Sequence, residues 1–176
     1  MKSKLLFFSL GFFIFLSSCN SDFGRMQKKW IGETIIPPGT LTRIVNDSIS
    51  LDKPLKILFY VDSVSCAPCQ LRLAAWWDYI NRYKDVISFF FISHPSNKLD
   101  ILAFCKQSGF DYPIFLDMNN IMQRAYHFPE STEYCCFLLD RDNHVIAVGH
   151  PLQNAKAFIN YQKQITTLFP KESLQE

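Results

Sequence analysis

The sequence predicts an α/β domain, a mixed sheet flanked by helices, and three observations predict it. Two near-continuous apolar runs, Leu55 to Val61 (LKILFYV) and Val86 to Ser93 (VISFFFIS), read as strands buried on both faces. Between them, Leu73, Ala74, Trp77 and Ile80 recur at helical spacing. Near the C-terminus, Arg141-Asp142-Asn143 joins two further strand-like runs as a hairpin. Strand–helix–strand alternation followed by a hairpin and a last helix is the pattern of an α/β fold.

The elements follow in order. Asn20 to Lys29 is short and polar and reads as a tether, with one domain over 30–176 behind it. From Trp30 to Pro54 come short β-like pieces (ETII, TLTRIV, SIS), broken by Pro37-Pro38-Gly39 and Asn46-Asp47. The first buried strand runs into Cys66-Ala67-Pro68-Cys69, and a helix is expected from Pro68 to Tyr83. The second buried strand ends at His94-Pro95. Ser96-Asn97 can cap a helix reaching Gly109, with Leu99, Ile101, Leu102 and Phe104 on it. Tyr112 to Leu116 reads as a short strand and Asn119 to His127 as a short helix. Cys135 to Asp140 and His144 to Val148 form the hairpin, and Gln153 to Phe169 a closing helix. There is no internal repeat.

Composition bounds the function. The 176 residues suit one domain, and six cysteines are far below the density of a disulfide-stapled miniprotein. A net charge of +2 gives no footprint for nucleic acid, and 17 phenylalanines argue against disorder.

The chain opens with Lys2 and Lys4, then an apolar run from Leu5 to Leu16. Twelve helical residues rise about 18 Å, short of a hydrocarbon core of about 30 Å. A basic start and a short apolar core form an export signal, residues 1–18, that fold reasoning excludes. It ends in Leu16-Ser17-Ser18-Cys19, which resembles the lipobox of bacterial lipoproteins. The resemblance implies acylation of Cys19 and a lipid anchor in the bacterial envelope, with the domain in the periplasm; the alternative is a plain signal with an incidental cysteine. Lys2 and Lys4 leave with the signal and no acid does, so the remaining chain is formally neutral.

Cys-x-x-Cys where a buried strand gives way to a helix, in this order of elements, resembles thioredoxin, and more closely the TlpA/ResA-type thiol–disulfide oxidoreductases. The matching stretches are KILFYVDSVSCAPC, YPIFLDMNNIMQRAY and FLLDRDNHVIAVGHP. The resemblance implies a thioredoxin-like sheet carrying an inserted strand-helix element. The chemistry has its own warrant. Cysteines three apart at a helix start lie close enough to bridge, and the positive helix end stabilises a thiolate. Cys66 is then the exposed nucleophile and Cys69 the resolving thiol. A zinc half-site would need a second ligand pair, which the sequence lacks, and a structural bridge here would close almost no loop.

Two positions depart from the family. Ser65 stands where a tryptophan precedes the first cysteine, and the position of the family's cis-proline falls on Tyr134, with Pro129 further back. An inserted stretch, Glu130 to Glu133, would rebuild that loop. Cys135 and Cys136 are read either as an auxiliary thiol near Cys66 or as two small residues packed in the sheet. Cys105, beside Phe104 and Leu102, is expected in the core. His94 ends the strand beside the CxxC strand, and is either a proton shuttle for Cys66 or incidental. Asp62 either assists proton transfer or forms a turn. Tyr60 takes the place where thioredoxins often bury an acid. One of Trp76 and Trp77 must face the core, and Trp30 is an edge-strand anchor or a binding residue.

The reading is therefore an enzyme, a thiol–disulfide oxidoreductase acting as reductase or isomerase on protein thiols and disulfides of the envelope. It is expected to be a monomer, anchored through lipid, with no cofactor, no metal and no nucleic acid. Two alternatives stand beside it: a thioredoxin-fold binding lipoprotein without redox turnover, and a copper handler resembling the Sco-type proteins, with His127 as the distal histidine.

Overall fold

The computed structural model describes residues 19–62, 72–94 and 98–170. Its strands are β1 (Thr42–Ile44), β2 (Leu55–Asp62), β3 (Ile87–His94), β4 (Ile114–Leu116), β5 (Cys136–Leu139) and β6 (Val145–Val148). They form one six-stranded sheet in the order β1-β4-β3-β2-β5-β6. β2, β3 and β4 are parallel, β5 is antiparallel to β2, and β6 is antiparallel to β5. β6 therefore points the same way as β2, and the ends of β2, β3, β4 and β6 meet on one rim. β1 pairs antiparallel on the outer side of β4. The mixed sheet flanked by helices is the expected architecture, and β4 is followed by a short helix in the expected strand-helix order.

The two apolar runs occupy the middle of this sheet, and their alternation shows why they are apolar throughout. Ile57, Phe59 and Val61 face one core with Phe89 and Phe91, while Leu58, Tyr60 and Ile92 face a second core on the opposite side. Helices cover both faces: α1 (Cys19–Trp30), α2 (Trp77–Tyr83), α3 (Lys98–Ser108), α4 (Ile121–Tyr126) and α5 (Ala155–Leu168). Asn154 caps α5 by accepting from the Ala157 N–H at 3.0 Å.

Three stretches differ from expectation. The helix expected over 68–83 is not continuous, because Arg72 adopts a left-handed conformation (φ 46°, ψ 43°) and Leu73–Trp76 is a 3-10 turn. In a 3-10 helix residues three apart eclipse, so Leu73 and Trp76 share a face; Ile80 and Tyr83 then follow Trp76 by four and seven. Leu73, Trp76, Ile80 and Tyr83 are accordingly buried, while Ala74 is exposed and Trp77 half-buried against Phe110. Of the two tryptophans, one of which had to face the core, the 3-10 turn makes it Trp76.

The second difference is the polar stretch after Cys19. It is helical from Cys19 to Trp30, and Phe23 and Trp30 are buried. Trp30 is thus neither on an edge strand nor open for binding: it ends α1 with its ring 4.8 Å from Phe137 and 5.8 Å from Phe128. Two apolar residues seven apart fall on one face of a helix, which is how a mostly polar segment packs down. Third, of the β-like pieces before Pro54 only Thr42–Ile44 pairs as a strand, with an isolated bridge from Thr34 to His144.

Candidate functional site

The shared rim gathers the residues singled out in the sequence. β2 and β3 run in register to their last residues, placing Asp62 opposite His94. His94 Nδ1 lies 3.1 Å from Asp62 Oδ1, and each side chain is about one-third exposed (35% for Asp62, 32% for His94). A pair this wet is worth no more than about 1 kcal/mol to the fold. Its value is positional, since it fixes the imidazole at the mouth of the sheet with one nitrogen on a carboxylate.

Beside the pair is a cavity of about 380 Å³, bounded by Val61 and Asp62, by Gln123, and by Pro129, Glu130, Thr132 and Cys135. Its outer wall is the stretch that was expected to be rebuilt. Pro129 is half-buried, Tyr134 stands two residues before β5, and the described residues contain no cis peptide bond. The loop is braced from behind: Glu133 O accepts from His150 N at 2.8 Å, and Glu133 Oε1 accepts from Asn154 Nδ2 at 2.6 Å.

Cys135 and Cys136 are both buried in the same core, because β5 begins only at Cys136 and strand alternation does not extend back to Cys135. Cys136 opens β5, is fully buried, and takes a long contact from the Tyr161 hydroxyl at 3.6 Å. Cys135 stands just before the strand, and its carbonyl accepts from Tyr60 N at 3.0 Å while its side chain borders the rim cavity. Burial pushes the Cys135 thiol up to about 12 and the Cys136 thiol higher still. Cys105 is 4% exposed on α3, and burial raises it to about 11. All three are free and held protonated, as packing residues rather than nucleophiles.

Tyr60 faces the second core, where its hydroxyl donates to Asp117 Oδ2 at 3.3 Å and Asn120 Oδ1 at 3.0 Å. Asp117, only 1% exposed, also accepts from the backbone N–H groups of Ile121 and Met122 at 2.8 Å each. The buried acid on this side therefore starts α4, and its partners are structural. Desolvation raises Tyr60 above its ordinary value, with Asp117 and Asp62 adding to the effect. His127 is exposed in a left-handed conformation at the end of α4. Among the described residues no cluster of three His, Cys, Asp or Glu side chains could hold a metal.

One rim residue was not singled out from the sequence. His150, 1% exposed, follows β6 and packs against Phe59 and Trp76, with ring centroids 4.8 and 5.1 Å away. Its Nδ1 accepts from Leu152 N at 3.2 Å, and Nε2 has no partner among the described residues. Burial, then the neighbouring Arg72 charge, lowers it to about 4, so it is neutral at physiological pH. The available signal was Gly149-His150 directly after a strand that ends on the rim.

Cys66 and Cys69, with Ser65 and Pro68, lie outside the described residues, as does the signal 1–18. Asp62 and Arg72 flank the segment that contains both cysteines.

No protein-family model matches this sequence, and no curated protein sequence matches it. Solved structures do. A thioredoxin domain of a thiol-disulfide oxidoreductase from Bacteroides vulgatus is similar with a TM-score of 0.55 at 10% identity, over 77% of this chain and 97% of that one. A candidate thiol:disulfide interchange protein DsbE from Chlorobium tepidum gives 0.55 at 16%, over 78% and 97%. A candidate protein disulfide isomerase from Bacteroides thetaiotaomicron gives 0.54 at 23%, over 83% and 91%. At such identities the likeness is one of fold, and with the strand order and rim described above it establishes that this chain has the thioredoxin-like fold.

Proposed function

We propose that this chain is an envelope-anchored thiol–disulfide oxidoreductase, a reductase or isomerase of protein disulfides, working through Cys66 and Cys69. The observation that supports it is the Asp62–His94 pair at the mouth of a thioredoxin-like sheet, immediately before the segment that contains the two cysteines. Functional groups of open α/β sheets gather at the carboxyl ends of parallel strands, and this rim is such an end. The solved structures with this fold include proteins described as thiol-disulfide oxidoreductase and disulfide isomerase.

In the reducing direction the Cys66 thiolate attacks one sulfur of a substrate disulfide. A Cys66–substrate bond forms and the other substrate sulfur leaves as thiolate. Cys69, deprotonated, then attacks the Cys66 sulfur, forming the Cys66–Cys69 disulfide and releasing the second substrate thiolate. Two electrons pass from the pair to the substrate, and the pair is re-reduced by a dithiol partner. In this reading His94, oriented by Asp62, takes and returns the protons of these steps. Anchoring through acylated Cys19 belongs to the same proposal, motivated by the Leu-Ser-Ser-Cys motif.

The test is insulin-disulfide reduction by the domain with Cys19 removed. Cys66→Ser should abolish turnover, and Cys69→Ser should trap mixed disulfides. No turnover with any dithiol partner refutes the proposal.

One observation favours a second reading, a thioredoxin-fold binding lipoprotein without turnover: Tyr134 stands at the family's proline position in a loop braced by His150 and Asn154. Alkylation at graded redox poise separates the two, because the binding module shows no Cys66–Cys69 transition.

A further inference from the structure

The direction of α1 has a consequence for how an anchored protein would sit. Near the start of the helix, Phe23 lies against Gly149 at the end of β6, within 3.1 Å of where a β-carbon there would stand. Asp22 and Phe23 also share a surface cavity of about 490 Å³ with the rim loops at Glu133, Tyr134 and Asn154. After the helix ends at Trp30, Gly32 N donates to Val145 O at 2.9 Å, and Val145 N donates to Glu33 O at 2.8 Å, at the opposite end of β6.

Helix α1 therefore runs antiparallel to β6. The lengths agree: Phe23 to Trp30 rises about 10 Å on a helix, and Val145 to Val148 about 10 Å on a strand. Because β6 parallels β2, the N-terminal end of α1 stands at the rim of Asp62 and His94. Cys19, the first residue of α1, lies one helical turn, about 6 Å, beyond Phe23. Two strand spacings, about 10 Å, separate the end of β6 from the end of β2.

We propose that the anchor holds this rim against the bilayer, so that the functional edge of the domain meets the membrane surface instead of the aqueous compartment. This rests on acylation of Cys19, part of the proposal above. No slack intervenes: acyl chains on the first residue of a helix that is packed through Phe23 and Trp30 place the nearest rim loops within roughly 10 Å of the headgroups. The partners this edge reaches are thiols or disulfides that a membrane protein presents at the bilayer surface.

The experiment uses the full acylated chain in phosphatidylcholine vesicles that contain a headgroup-nitroxide lipid. Cys66 and Cys69 are replaced by serine, so the reading is independent of redox chemistry. A thiol fluorophore is placed at Ser131→Cys on the rim or at Asp142→Cys in the hairpin at the opposite end, both exposed positions. The rim label should be quenched at least about two-fold more than the hairpin label. A flexible insert of 20 Gly/Ser residues between Cys19 and Asn20, with an r.m.s. span of about 25 Å, should erase the difference.

Equal quenching in the protein without the insert overturns the proposal, and so does stronger quenching at Asp142, which would turn the Lys28–Lys29 end to the membrane. A difference that survives the insert also overturns it, since α1 would then not set the orientation. Absence of acyl mass on Cys19 removes the anchor and this inference with it, while the Cys66–Cys69 reading is judged separately by insulin reduction.

Discussion

Gly149→Ala should be among the most damaging single-methyl changes in this domain, because two independent costs meet at one residue. Gly149 has φ +105°, where an L side chain is strained by about 1–2 kcal/mol. Its new β-carbon would also stand 2.9 Å from Ala157 Cβ and 3.1 Å from Phe23 Cε2. Ala157 is buried on α5 and has no rotamer to offer, so the helix itself must move, an overpacking cost of about 1–3 kcal/mol. Together the loss is about 2–5 kcal/mol, which in a domain of this size lowers Tm by roughly 4–20 °C.

Urea unfolding of the domain with Cys19 replaced by serine measures this loss directly, and adding Ala157→Gly separates the two costs. The second change removes the contact with Ala157 but neither the approach to Phe23 nor the backbone strain, and itself costs about 1 kcal/mol inside a helix. The double variant should therefore recover part of the loss once that cost is subtracted. A loss under about 1 kcal/mol for Gly149→Ala would refute the close approach of α1 and α5 to the end of β6. A double variant showing no recovery would assign the damage to strain and the Phe23 contact, not to Ala157.

Three further predictions follow from the same core. His150 is held neutral with its pKa lowered to about 4 against an ordinary value near 6.5, so between these values the unfolded chain binds the proton more readily. Stability from this residue is complete above pH 6.5 and drains as pH falls toward 4, on the order of 3 kcal/mol in all; His150→Asn should flatten that slope in urea titrations at pH 7 and 4.5, and an unchanged slope would contradict the assignment. Cys105, Cys135 and Cys136 are free and buried, so a thiol reagent should leave them untouched in the native domain and modify all three in denaturant. Rapid native reaction of any of them in the Cys66→Ser/Cys69→Ser variant would show that the packing described is wrong. Trp76→Ala removes a fully buried ring packed on Phe59, Phe89 and Phe91, and should cost about 3–5 kcal/mol by denaturant unfolding. The same change at half-buried Trp77 should cost clearly less.

The sequence by itself determined the class of fold and the chemistry worth looking for. Leu55 to Val61 and Val86 to Ser93 are apolar at every step because both faces of a central strand are covered, and such runs have few other uses. The hairpin at Arg141-Asp142-Asn143 was legible because turn chemistry is local, with Asn143 at φ 69°. Cys-x-x-Cys, the Leu-Ser-Ser-Cys motif, and His94 and Asp62 as candidates were also local signals.

What only the tertiary structure decided is who meets whom. The left-handed turn at Arg72 set the helical phase and chose Trp76 over Trp77 for the core, a choice that the hydrophobic period left open. Asp62 and His94, 32 residues apart, became a pair only through the parallel register of β2 and β3. Phe23 and Trp30 made a packed helix of a segment whose polar composition reads as a tether, because two well-placed apolar residues suffice once a groove exists to receive them. His150 looks like an ordinary loop histidine until Phe59 and Trp76 close over it. Periodicity and turn chemistry are properties of neighbours along the chain, whereas burial, charge pairing and the direction of α1 depend on contacts between distant residues, which no local pattern encodes.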